Sequence, residues 1–142
     1  MPTILCIEDE TLLRENIAEE LQDEGYDVLQ ASNGQDGLQM ILQHRPDLVL
    51  CDVSMPGKDG YQLLQEVRGS HEAFDEMPFI FVSALAERQH ILSGLKLGAD
   101  NYITKPIDFE LLKVKIRGSL RQIERMRKGF YRNVSNVHVI DV

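Results

Sequence analysis

Apolar residues along the chain fall into five short runs, and between them they recur every three or four positions. Thr3–Ile7, Asp27–Ala31, Leu48–Cys51, Phe79–Val82 and Tyr102–Thr104 each have the length of a strand. The third and fourth runs show no polar alternation, as expected where both faces of a sheet are covered. Between the runs, Leu13, Ile17 and Leu21 recur at helical spacing. So do Leu38, Ile41 and Leu42, which are expected to face inward; then Leu63, Leu64 and Val67; then Ile91, Leu92 and Leu95; and finally Leu112, Ile116, Leu120 and Ile123. Punctuation agrees with this division. Gly25 and Gly98 are placed to end helices, and Pro46 stops another. Asn33, Asp59 and Asp108 are placed to cap helix starts.

Five strand–helix units with short connections imply parallel pairing and right-handed crossovers. The expected fold class is therefore α/β, a three-layer doubly wound (βα)5 open sheet. The strand ends of such a sheet deliver chemistry to one edge. Strand one ends at Glu8 and Asp9, strand three at Asp52, strand four at Ser83, and strand five just before Lys105. Two carboxylates ~4 Å apart repel by roughly 4 kcal/mol at an effective dielectric of 20. Three persist together only with cationic compensation. Lys105 supplies one charge, and a hard divalent ion bound through oxygen supplies the rest; Mg²⁺ fits because it uses one or two carboxylates and bridges to phosphate. Asp52 is then a candidate carboxylate nucleophile toward phosphorus, with Lys105 and Ser83 placed to stabilise the transferring group. Each residue also has an ordinary reading: Glu8 and Asp9 as partners of a helix dipole, Asp52 as a turn former, Ser83 as a cap, Lys105 as a solvated lysine. Their coincidence at four strand ends argues for the site.

Composition narrows the class. The chain has 142 residues, 43% hydrophobic and 27% charged, as in an ordinary globule. No apolar run reaches the ~20 residues that span a bilayer, and the N-terminus lacks the features of a signal peptide, so a cytoplasmic location is expected. Cys6 and Cys51 sit in apolar runs and read as buried free thiols. His44, His71, His90 and His138 show no zinc-site spacing. The net charge of −8 divides into −14 over residues 1–110 and +6 over residues 111–142. An acidic body argues against nucleic-acid binding by residues 1–125 themselves.

These residues resemble the receiver domains of two-component response regulators over roughly residues 3–125. The resemblance rests on Glu8-Asp9, Asp52 with Met55-Pro56-Gly57 and Asp59-Gly60, Ser83-Ala84, Gly98-Ala99-Asp100-Asn101-Tyr102, and Lys105-Pro106. It implies a flavodoxin-like sheet of order 2-1-3-4-5 and a phosphoacceptor switch rather than a metabolic enzyme. It implies Asp52 as phosphoacceptor and Mg²⁺ on Glu8, Asp9, Asp52 and the backbone carbonyl of Ser54. Ser83 and Lys105 become phosphoryl contacts, Ser83 and Tyr102 a coupled switch pair, and Lys105–Pro106 a cis peptide. The donor is expected to be a sensor histidine kinase or phosphotransfer protein. Two departures are visible. The acidic pair is Glu-Asp, so Glu8 is a candidate for reaching the metal through water, and the switch hydroxyl is Ser83 rather than Thr.

Three alternatives have discriminating features. A haloacid-dehalogenase-type aspartyl-phosphate hydrolase places a second Asp two residues after the nucleophile, where this chain has Ser54. A flavin carrier needs a Gly/Ser/Thr phosphate cradle after strand one, where this chain has Glu8-Asp9-Glu10. A receiver-like docking module that is never phosphorylated would not need the complete site.

Residues 1–125 are expected to form the domain, and residues 126–142 a C-terminal helical extension and tail, as a linker to an output domain or as a surface that pairs with a second copy. Leu112, Ile116, Leu120, Ile123 and Met126 run beyond the length that the globule covers, so the helix is expected to project. Its cations read as a solvated basic face. After Gly129, Val134–Ile140 looks strand-like.

Overall fold

A computed structural model describes residues 1–70 and 74–140. Five strands, β1 (Thr3–Ile7), β2 (Asp27–Ala31), β3 (Leu48–Cys51), β4 (Phe79–Ser83) and β5 (Asn101–Thr104), form one parallel sheet in the order β2-β1-β3-β4-β5. They alternate with α1 (Thr11–Asp23), α2 (Gly34–His44), α3 (Gly60–Ser70), α4 (Arg88–Lys96) and α5 (Phe109–Ile140). Class and strand order are those expected from the sequence. The apolar runs form strands because both faces are covered. Alternate residues of one strand enter two different cores, so Leu5 and Ile7 join one cluster while Ile4 and Cys6 join the other. The first cluster is closed by Leu38 and Ile41 of α2 and Leu63, Leu64 and Val67 of α3, with Ile91 of α4 packed against it. The second is closed by Ile17 and Leu21 of α1 and Leu112 and Ile116 of α5. Three layers follow directly from this division.

The predicted punctuation holds. Asn33 Oδ1 accepts from the Asp36 amide at 2.8 Å. Asp59 and Gln62 bond reciprocally, side chain to amide, at 2.8 and 2.9 Å, as a capping box does. Asp108 Oδ1 accepts from the Leu111 amide at 3.2 Å. Gly25 and Gly98 sit at φ 97° and 107° just after α1 and α4, a region that residues with a Cβ avoid.

Two expectations are corrected, those for Leu42 and for Val134–Ile140. Leu42 is 42% exposed, because α2 buries the stripe of Gly34, Gly37, Leu38 and Ile41 and Leu42 lies beside it. Leu92 and Leu95 are exposed as well. On α4 the position against the core is Gly94, where a Cβ would stand 3.1 Å from the rings of Phe81 and Tyr102. The leucines therefore flank the contact stripe. Finally, the strand-like segment Val134–Ile140 is a continuation of α5. β propensity is mostly a packing preference, and among the described residues no strand pairs with this segment, while each residue added to an established helix gains a hydrogen bond without renewed nucleation.

α5 is buried at Leu112 and Ile116, half-buried at Leu120 and Ile123, and 49% exposed at Met126. Not all of its cations are solvated. Lys113 reaches Glu20 of α1 at 2.8 Å and Lys115 reaches Asn101 of β5 at 3.0 Å. No helix among the described residues is long and apolar enough to cross a membrane. Cys6 and Cys51 are buried and free, and burial pushes the Cys6 thiol up to about 12. His71 lies outside the described residues.

Candidate functional site

Parallel pairing brings the carboxyl ends of β1, β3, β4 and β5 to one rim, and backbone bonds set their depth. The Asp52 amide donates to Ile7 O at 3.0 Å, the Glu8 amide to Ala31 O at 3.0 Å, and the Lys105 amide to Ser83 O at 2.9 Å. The first residues beyond β1, β3 and β5 therefore stand on adjoining ladders. Their side chains converge. Glu8, Asp9 and Asp52 each present a carboxylate oxygen within 4.8 Å of the others. Lys105 Nζ lies 2.8 Å from Glu8 Oε1 and 3.0 Å from Asp52 Oδ2. The Lys105–Pro106 bond is cis.

The three carboxylates differ in environment. Glu8 and Asp52 are 2% and 5% exposed, and Asp9 is exposed to solvent. Burial pushes the Glu8 carboxyl up to about 7 against the opposing pull of its hydrogen bond from Lys105. For Lys105, burial alone lowers the ammonium pKa, but hydrogen bonds to Glu8 and Asp52 outweigh it, and the net shift is upward. Glu8, set apart in sequence as the candidate for reaching a metal through water, is the most buried of the three and is joined directly to Lys105.

Ser54, on the loop after β3, donates its amide to Asp52 Oδ1 at 3.2 Å. Ser83 is buried, and its Oγ accepts from the Leu85 amide at 3.1 Å. The ring of Tyr102 lies inward, 6.0 Å from that of Phe81, and its hydroxyl donates to Leu85 O at 2.7 Å. Ser83 and Tyr102, the expected switch pair, thus both bond the backbone of one residue, Leu85.

Three further residues shape the site: Gly60, named from sequence only as part of the Asp59-Gly60 motif, and Tyr61 and Arg14, which were not singled out. Gly60 opens α3 with its amide on Val53 O at 2.9 Å, and a Cβ there would run into the backbone carbonyl of Asp52. Only glycine allows α3 to start this close to the Asp52 backbone. Tyr61 stacks edge-on against Phe81 at 5.2 Å and donates to His90 O of α4 at 2.8 Å. Arg14 of α1 donates to Glu8 O at 2.8 Å. A signal for Arg14 was present, since it is the single Lys or Arg among the first 44 residues.

Three carboxylates and one ammonium meeting at one rim form an oxygen-rich cluster with an excess of negative charge. Comparison with known proteins points the same way. The family model described as response regulator receiver domain matches residues 4–117. The transcriptional regulatory protein RprY of Bacteroides fragilis is 39% identical over 137 residues, 96% of this chain and 55% of that protein. The transcriptional regulatory protein DltR of Streptococcus agalactiae is 42% identical over 124 residues, 87% of this chain and 54% of that protein. The chain thus spans about half the length of these curated relatives. Among solved structures, a response regulator receiver domain protein from Methanospirillum hungatei superposes with TM-score 0.82 at 29% identity, covering 89% of this chain and 98% of that one. A putative response regulator from Chloroflexus aurantiacus superposes with TM-score 0.80 at 31% identity, covering 84% of this chain and 98% of that one.

Proposed function

The chain belongs to the response regulator receiver domain family, and from that premise we propose that it is a switch that accepts a phosphoryl group on Asp52. The observation that carries the reading is the convergence of Glu8, Asp9 and Asp52 within 4.8 Å, with Lys105 on two of them. Asp52 lies just past the end of β3, and its backbone is held by Ile7 O. Its carboxylate attacks phosphorus to form an O–P bond. The P–N bond of a phosphohistidine donor breaks, and the imidazole nitrogen keeps the electron pair and takes up a proton. Lys105 Nζ, already 3.0 Å from Asp52 Oδ2, is placed to neutralise oxygen charge on the transferred group. The Ser83 hydroxyl is the candidate hydrogen-bond donor to the same group.

The donor set also fits Mg²⁺. Three carboxylates face one ammonium, and the excess of negative charge on oxygen donors suits a hard divalent cation. Glu8, Asp9, Asp52 and the Ser54 carbonyl are the residues that would hold it. When bound, it supplies charge neutralisation for phosphate oxygens next to Asp52.

We assign residues 1–125 to the domain and residues 126–142 to an extension. α5 crosses this boundary as one helix, which supports a role in connecting the domain to an output unit or to a second copy. The RprY and DltR relatives are named as transcriptional regulators and are about twice as long, which supports gene regulation as the output, carried by residues outside this chain. A sensor histidine kinase or phosphotransfer protein is the proposed donor. Incubating the purified chain with Mg²⁺ and a small acyl phosphate tests the reading. Intact-mass measurement should show the gain of one phosphoryl group, abolished by Asp52→Asn. Phosphorylation that survives that substitution, or none in the native chain, overturns it.

A further inference from the structure

Asp9 is the outermost carboxylate of the pocket, exposed and on a loop between β1 and α1. Its placement needs an explanation, because an exposed loop residue has no packing to hold it. The Glu8 carbonyl belongs to the same planar peptide as the Asp9 amide. Whatever grips that oxygen therefore orients the plane from which Asp9 departs. Arg14 grips it. One guanidinium nitrogen donates to Glu8 O at 2.8 Å, while Nε donates to Gln30 Oε1 on β2 at 3.3 Å. A planar guanidinium held at two points cannot swing as a single-point donor can. The same stretch is anchored from the other side by Lys105 on the Glu8 carboxylate and by the Glu10 amide on Glu8 Oε2 at 3.2 Å.

We propose that Arg14 is a positioning residue for the acidic pocket, fixing the Glu8–Asp9 peptide so that Asp9 stands ready as a divalent-cation ligand beside Glu8 and Asp52. This rests on the reading of that pocket as the Mg²⁺ site. Arg14 acts through the loop and touches no reacting atom. Its charge and its geometry make opposite demands on metal affinity. As a nearby cation alone it would weaken Mg²⁺ binding, so that its removal would tighten it. As a positioning group its removal weakens binding.

Calorimetric titration of Mg²⁺ into the full chain at constant ionic strength separates the two. Arg14→Gln should weaken Mg²⁺ binding by about tenfold, the usual scale for residues that orient metal ligands. Arg14→Lys, which keeps the charge and one donor but loses the two-point grip, should fall between. Gln30→Leu, which frees only the weaker contact, should fall closer to the native chain. Urea unfolding in EDTA reports loss of fold separately, since destabilisation alone leaves the affinity of the folded fraction unchanged. Unchanged or tighter binding by Arg14→Gln, or Arg14→Lys binding as weakly as Arg14→Gln, overturns the proposal. A native chain that takes up no Mg²⁺ overturns the metal reading, and this proposal with it; native binding with an unaltered Arg14→Gln overturns this one alone.

Discussion

The rim of the sheet and the stretch of α5 beyond Ile123 both carry charge and treat it in opposite ways. At the rim, Glu8 and Asp52 are almost completely buried, and both are bonded to one half-buried lysine. Beyond Ile123, the Lys128–Glu124 pair is 3.1 Å apart, with both side chains about two-thirds exposed. An exposed pair of that kind is worth only a few tenths of a kcal/mol, because water and salt screen it. Buried charges are costly until paired, and breaking the pairing leaves the survivor unsolvated. Charge at the rim is therefore held in place by the fold around it, whereas the Lys128–Glu124 pair is free to vary with little effect on folding.

That contrast can be broken at its strongest point. Lys105→Met should remove acyl-phosphate labelling of Asp52. In metal-free buffer it should also destabilise the domain by about 3 kcal/mol, the low end for breaking a buried pair. Urea unfolding with and without Mg²⁺ checks this, and the cation should restore part of the loss. Equal stability of both proteins in EDTA would show that the rim charges are solvated like those of α5. A smaller effect is expected at Gly60, which carries no charge but lets α3 start against the Asp52 backbone. Gly60→Ala should cost about 2 kcal/mol through overpacking and slow the labelling of Asp52, as followed by denaturant midpoint and by mass against time. The smallest effect belongs to the other region. Met126→Ser should shift stability by less than about 0.5 kcal/mol in dilute solution, measured by thermal unfolding. A larger, concentration-dependent shift would show that α5 buries this residue against a second copy.

The same contrast explains what could be read from the chain. Strand limits were legible because β1 and β3 are largely apolar runs bounded by charged or turn residues, and caps such as Asn33 and Asp59 act on amides three residues away. The site was legible for a related reason, since in a parallel sheet each strand's last residue lies on one rim and four such residues could be named. Leu42 was misplaced because helical period identifies a stripe but not its width, which depends on how closely the helix approaches; at α4, whose leucines are exposed, that approach is set by Gly94 against Phe81 and Tyr102. Val134–Ile140 was misplaced because its β-branched residues state a preference that only a neighbouring strand could have satisfied.

By itself, then, the sequence determined the number and order of elements, the parallel sheet and the identity of the carboxylates and lysine at its edge, because these depend on periodicity and on contacts between near neighbours. The tertiary structure alone decided that Glu8 is the buried member bound to Lys105, that Arg14 reaches back to the Glu8 carbonyl, and that Gly60 abuts Asp52. Those contacts join residues whose proximity is set by the packing of whole layers, and no local pattern of side chains encodes a distance across a fold.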